Sequence, residues 1–148
     1  MLPRWHILIG GIIAVLIFVA APKINIINIL LFFLASFLID FDHYICAVWN
    51  THKFGLHEAF EYHKEMDRLD EKRRKKGIKE KGDFHLFHTI EFHILIGILG
   101  LFWTGFFYIF LGMMLHSLTD LYSLLYSKEM YKREFFFLHW LYEKITKS

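Results

Sequence analysis

A bundle of about four membrane-spanning α-helices is the fold class that this 148-residue chain predicts, and three observations carry it. Hydrophobic residues make up 55% of the sequence and the mean hydropathy is +0.35, a high balance for a domain whose surface must face water. The apolar residues fall into four runs, each near the roughly 20 residues that cross about 30 Å of hydrocarbon as a helix. Charge collects between the second and third runs and after the fourth. Residues 1–148 therefore read as one all-α membrane domain. A single cysteine, Cys46, leaves no internal disulfide to make.

The first run, 5–21, is followed by Pro22-Lys23 and then by more apolar sequence, which distinguishes it from a cleaved leader. The second, 24–49, carries Asp40, Asp42 and His43 in its last third. An insertion over 50–83 reverses the character. Within it, 57–76 is dense in charge and free of Gly and Pro, so it predicts a solvated or surface helix with Gly77 as its stop. Its basic run, Lys72 to Lys76, reads as an anchor for anionic headgroups, and no nucleic-acid partner is expected. The third run covers 84–102, a turn follows at 103–105, and the fourth covers 106–126. The tail, 128–148, mixes lysines with Phe135, Phe136, Phe137, Leu138, Trp140 and Leu141, the composition of a helix lying in the bilayer interface. Ten Lys/Arg in 50–83 against none in 103–105 put the insertion and both termini on the cytoplasmic side of a cell inner or plasma membrane.

Ionisable side chains at membrane depth cost about 2.5–3.5 kcal/mol each, so those that occur face a bundle interior and act there. Asp40, Asp42 and His43 lie near the cytoplasmic end of the second run; His85, His88 and Glu91 open the third; His116 and Asp120 lie toward the cytoplasmic end of the fourth. At about 1.5 Å per helical residue these sets share one depth. His85, His88 and Glu91 occupy one helical arc at i, i+3 and i+6. For Asp40 and Asp42 to reach one site, the second helix must unwind near Ile39-Asp40. The His-x-x-x-acid spacing occurs four times, and depth separates them: His57/Glu61 and His63/Asp67 read as solvated pairs and His139/Glu143 as interfacial. His93 faces away from Glu91 and packs or snorkels.

Three motifs in order then carry a resemblance. Ile39-Asp40-Phe41-Asp42-His43 is similar to a Pro-Asp-φ-Asp-His element, with Ile39 at the proline. Gly82-Asp83-Phe84-His85-Leu86-Phe87-His88-Thr89 is similar to Gly-His-Arg-Gly-x-Thr-His-Ser, with Asp83 and Phe84 at its His-Arg. Leu115-His116-Ser117-Leu118-Thr119-Asp120 is similar to a His-x-x-x-Asp element. Over about 80 residues the chain resembles the membrane-bound metal-dependent hydrolases, which include the LexA-binding inner-membrane-associated hydrolases, a family distantly similar to zinc-dependent phospholipase C and its related single-strand nucleases. The resemblance implies phosphoester hydrolysis, with Arg4 or a loop lysine left to replace the missing phosphate-clamping arginine.

Together these readings give an integral-membrane, metal-dependent hydrolase acting on a phosphoester, with a phospholipid or a lipid-linked phosphate among the expected substrates. The expected metal ligands are Asp40, Asp42, His85, His88, Glu91, His116 and Asp120, with Glu91 and Asp42 as the candidate catalytic groups. Imidazole and carboxylate donors suit Zn²⁺ first, then Mn²⁺ or Fe²⁺, as one ion or a pair. The partners expected are the bilayer and the phosphorylated substrate, with the oligomeric state open. The reading from another class is a non-enzymatic membrane protein, a small transporter or scaffold using the same groups as a polar network.

Overall fold

The computed structural model describes residues 3–147, and these are helical without β-strand. Seven helices follow in order: α1 (Pro3–Ala20), α2 (Ile26–Leu38), α3 (Phe41–Thr51), α4 (Leu56–Lys75), α5 (Ile90–Leu99), α6 (Thr104–Ser127) and α7 (Phe137–Thr146). Short 3₁₀ turns stand at Leu86–His88 and Met130–Lys132.

Local chemistry sets most boundaries. Asn25 opens α2 by accepting the Ile27 N–H at 2.9 Å. The second apolar run does break: α2 ends at Leu38 and α3 starts at Phe41, with Ile39 and Asp40 between them. Beyond α4, Gly77 turns to φ +72, the left-handed conformation that ends a helix most cheaply at glycine.

Two expected helices are shorter than their apolar runs. The third run enters α5 only at Ile90, because the Thr89 hydroxyl caps it by accepting the Phe92 N–H at 3.4 Å. Its first residues, His85 among them, approach in extended and 3₁₀ conformation. In the tail, only 137–146 is α-helical. The segment before it is strapped to the rest by backbone bonds, with Gly82 N–H on the Lys132 carbonyl at 2.8 Å and Ile90 N–H on the Phe135 carbonyl at 2.9 Å.

α2 lies between α6 and α1, α5 packs on α6, and α4 covers α3. Gly112 permits the α2–α6 approach, since a Cβ there would collide with the Phe32 carbonyl oxygen and the Ala35 methyl. The apolar core is small, formed by Ala14, Ile29 and Phe32. The largest fully buried side chains are instead His6, Ser36, Thr89 and His116, while Ile12, Val15, Leu16, Ile26, Leu30, Ile94 and Ile98 face outward. Polar groups fill the interior and aliphatic groups coat the exterior.

Two helical stretches are long and apolar enough to cross a membrane: Ile26–Thr51, taken through its break, and Thr104–Ser127. The apolar helices Arg4–Ala20 and Ile90–Leu99 are shorter.

Candidate metal centre

The interior of the bundle gathers imidazoles whose tautomers are fixed by their partners. His116 on α6 lies 3.0 Å through Nδ1 from the Ser36 carbonyl of α2, and a carbonyl only accepts, so Nδ1 carries the hydrogen. His88 meets the Asp42 carboxylate through Nδ1 at 3.0 Å, which fixes it the same way. In their neutral forms both rings then turn an Nε2 lone pair inward, and these atoms lie 3.2 Å apart. Around them stand Asp40 Oδ1, at 3.3 Å from His116 Nε2 and 3.6 Å from His88 Nε2, and Asp120 Oδ2, at 3.6 and 3.9 Å. Asp40 and Asp120 thus each flank the two Nε2 atoms, and His88, His116 and Asp120, all buried, place donor atoms within reach of one ion.

A third imidazole joins from α1. The Thr119 hydroxyl donates to the His116 carbonyl at 2.7 Å and so accepts from His6 Nδ1–H at 3.0 Å. His6 Nε2 then points its lone pair at Asp120 Oδ1, 3.2 Å away, with no hydrogen-bond partner. The His6 and His116 rings stack with centroids 3.8 Å apart. His6, Asp40 and His116 offer donor atoms within 4.8 Å of one another.

A second group lies beside the first. Asp42 Oδ1 and His85 Nδ1 face each other at 3.7 Å, both buried and both without a hydrogen-bond partner. His43 completes this trio, its ring 3.7 Å from that of His85 and its Nε2 3.5 Å from Asp40 Oδ1. Imidazole nitrogens beside carboxylate oxygens suit a divalent cation, and His6 Nε2, Asp42 Oδ1 and His85 Nδ1 are buried with carboxylate–imidazole contacts at 3.2 and 3.7 Å in place of hydrogen bonds. No Lys or Arg ion pair to Asp40 or Asp42 occurs among the described residues.

The centre opens on a cleft of about 360 Å³ between α4, the 81–85 segment and the tail, with His43, His85 and Arg133 at its inner end. Arg133 donates to Asp120 Oδ2 at 2.7 Å. Ion pairs join the walls: Lys132 to Asp70 at 3.1 Å, Arg74 to Glu129 at 3.5 Å, and Lys81 to Glu134 and Glu143 at 2.5 and 2.8 Å.

Of the residues expected from sequence, the structure gathers Asp40, Asp42, His85, His88, His116 and Asp120. Glu91 is elsewhere, and its expected roles as ligand and catalytic base are corrected. Because α5 starts at Ile90, the arc shared with His85 and His88 does not exist, and the Glu91 carboxylate accepts the Phe137 and Leu138 N–H groups at 3.0 and 3.1 Å, holding the start of α7. Asp42 uses Oδ2 to orient His88 and to accept the Phe87 N–H at 3.0 Å, leaving Oδ1 toward His85. His63 is not a solvated partner of Asp67, since its Nε2 sits 3.0 Å from the His43 carbonyl and its ring meets that of His43 edge-on. His57 does pair with Glu61 at the exposed surface. His93 is buried between the Thr89 carbonyl and the Ser117 hydroxyl. His139 pairs with Glu134 in place of Glu143. The cation at the centre is neither Arg4, which lies over the Trp5 ring, nor a loop lysine. Sequence reasoning missed His6 and Arg133. His6 carried one usable signal, a lone imidazole near the start of an apolar helix at the depth of the other sets; Arg133 carried none. No family model, curated protein or solved structure matches the chain.

Proposed function

We propose that the chain is a membrane-embedded, divalent-metal-dependent phosphoesterase of the hydrolase type its three motifs resemble, with four membrane segments and its centre at the cytoplasmic leaflet. The observation that carries this reading is the convergence of the His88 and His116 Nε2 lone pairs, 3.2 Å apart, with Asp40 and Asp120 on the same point. The outward aliphatic faces of α1 and α5 support adding these shorter helices to the two long apolar stretches. The lysines and arginines of the insertion support the orientation.

His88, His116, Asp40 and Asp120 would hold one ion, with His6 able to join; Asp42, His43 and His85 would hold a second. Mixed nitrogen and oxygen donors favour Zn²⁺, then Mn²⁺ or Fe²⁺. The chemistry such a cation supplies when bound is Lewis-acid activation of water and of a phosphoryl oxygen. The chain's own residues do the rest. Asp42 and the Ser36 carbonyl keep the two inner imidazoles in the ligating tautomer. His43, His85 and Arg133 border the cleft where a phosphoester headgroup would enter from the leaflet.

The test is elemental analysis of detergent-purified protein together with phosphate release from soluble phosphoesters and phospholipids, before and after chelation. Bound Zn²⁺, Mn²⁺ or Fe²⁺ with turnover that chelator abolishes and metal restores is expected. Metal-loaded protein that turns over no phosphoester would favour a transporter or scaffold.

A further inference from the structure

The cleft's described cations are Arg73, Lys81, Lys132 and Arg133, and they differ in what holds them. Arg73 pairs with Asp70 and Glu80, Lys132 with Asp70 and Glu129, and Lys81 with Glu134 and Glu143, all carboxylates of α4, the loop or the tail. Arg133 instead reaches through to the metal centre and bonds Asp120 Oδ2. That oxygen also stands 3.6 Å from His116 Nε2 and 3.9 Å from His88 Nε2, so it is one corner of the donor set. A guanidinium and a divalent cation on one oxygen repel each other, and each weakens the other's hold. Arg133 lies in the extended segment between the Met130–Lys132 turn and α7, with its side chain 15% exposed at the junction of centre and cleft. Its fork of N–H donors matches two oxygens of a phosphoryl group, which a lysine cannot do.

We propose that Arg133 exchanges partners. It bonds Asp120 while the centre lacks metal, and it turns into the cleft to bind the phosphoryl group of the substrate once a divalent ion occupies the set. This rests on the phosphoesterase reading and supplies the clamp that the second motif lacks. The ligand chemistry is a tetrahedral phosphoryl group, whether on a lipid or free in solution.

The test uses the full chain in detergent micelles and compares wild type with Arg133→Gln and Arg133→Lys. Zn²⁺ affinity is measured by competition with a chromophoric chelator. Binding of inorganic phosphate, and separately of micelles containing phosphatidic acid, is measured on the Zn²⁺-loaded protein. Arg133→Gln should bind Zn²⁺ about tenfold tighter and phosphate about tenfold more weakly, the scale of one charge-assisted contact. Arg133→Lys, which keeps the charge and loses the fork, should leave Zn²⁺ affinity within about threefold while still weakening phosphate; it carries the test if Arg133→Gln does not fold. A loss confined to one of the two ligands identifies the source. Unchanged or weaker Zn²⁺ affinity in Arg133→Gln, unchanged affinity for both inorganic phosphate and phosphatidic acid, or no Zn²⁺ binding by wild type overturns the exchange. If the affinities shift as expected and no phosphoester is hydrolysed, the exchange stands and the enzymatic reading falls. If Arg133→Gln turns over a phosphoester with wild-type KM, the reverse holds.

Discussion

The Nε2 atoms of His88 and His116 approach to 3.2 Å with both Nδ1 hydrogens already donated, to Asp42 and to the Ser36 carbonyl. Two lone pairs at that distance need a cation or a shared proton between them. Replacing either histidine by alanine should therefore lower divalent-metal affinity by at least about tenfold, the lower end of what even outer-shell partners contribute. His6→Ala should lower it too, whereas His57→Ala, with its side chain 80% exposed, should not. Metal-to-protein ratios after dialysis against a weak chelator decide this, and equal retention by all four variants would refute the donor set.

Glu91→Gln separates the centre from the tail. Its carboxylate caps two α7 N–H groups, so the variant should keep its metal and lose about 1 kcal/mol of α7 anchoring, the usual worth of an N-cap. Amide exchange at Phe137 and Leu138 should quicken about fivefold. Loss of metal with unchanged exchange would return Glu91 to the ligand list.

The tail's attachment depends on pH in a definite direction. Pairing with Lys147 and Lys81 holds the Glu143 carboxyl down to about 2, and Lys81 is raised by Glu134 and Glu143. A depressed acid stabilises above its unfolded pKa, so this contribution is full above about 4.5 and fades as pH falls through about 2. The raised lysine extends the plateau upward, fading only as pH rises past its ordinary value. Trp140, stacked on Phe84 at 4.1 Å, reports the change. In a variant with the other tryptophans replaced by Phe, its emission should shift as pH falls between these values, and more readily in high salt.

Gly112→Ala tests the α2–α6 contact. The added methyl meets the Phe32 backbone, which cannot rotate aside, and a cost of about 1–3 kcal/mol is expected. An unchanged thermal midpoint in detergent would mean the helices part freely.

Topology is tested with Lys75→Cys in a Cys46→Ser background. An impermeant maleimide should label position 75 only after the cells are permeabilised. Efficient labelling of intact cells would reverse the orientation.

Much of the centre was legible because depth is additive along a helix. Asp40, Asp42, His88, His116 and Asp120 fall at one level by residue count, and the need to bring both aspartates inward located the break before Phe41. Where local bonding overrode periodicity, the reading failed: Thr89 delays α5, and Glu91 rotates away from His88 toward α7. His6 and Arg133 enter through contacts with residues of α6, 113 and 13 positions away, and neither belongs to a local pattern. The insertion read as a solvated stretch, yet Asp70 and Arg74 join the tail and His63 packs on His43, because charged residues that reach one another across a cleft leave no mark in sequence spacing.

The stacking of His6 on His116 also has a meaning for how the protein is made. The first donor is near the start of α1, and the arginine that bonds Asp120 lies beyond α6, so the pocket is assembled from opposite ends of the chain. At roughly 5–20 residues per second of synthesis, the 113 positions from His6 to Thr119 correspond to roughly 6–23 s before the His6 imidazole can meet its partner on α6. The His6–Thr119 and Arg133–Asp120 contacts therefore form late in synthesis, and together they tie the first helix and the tail to α6.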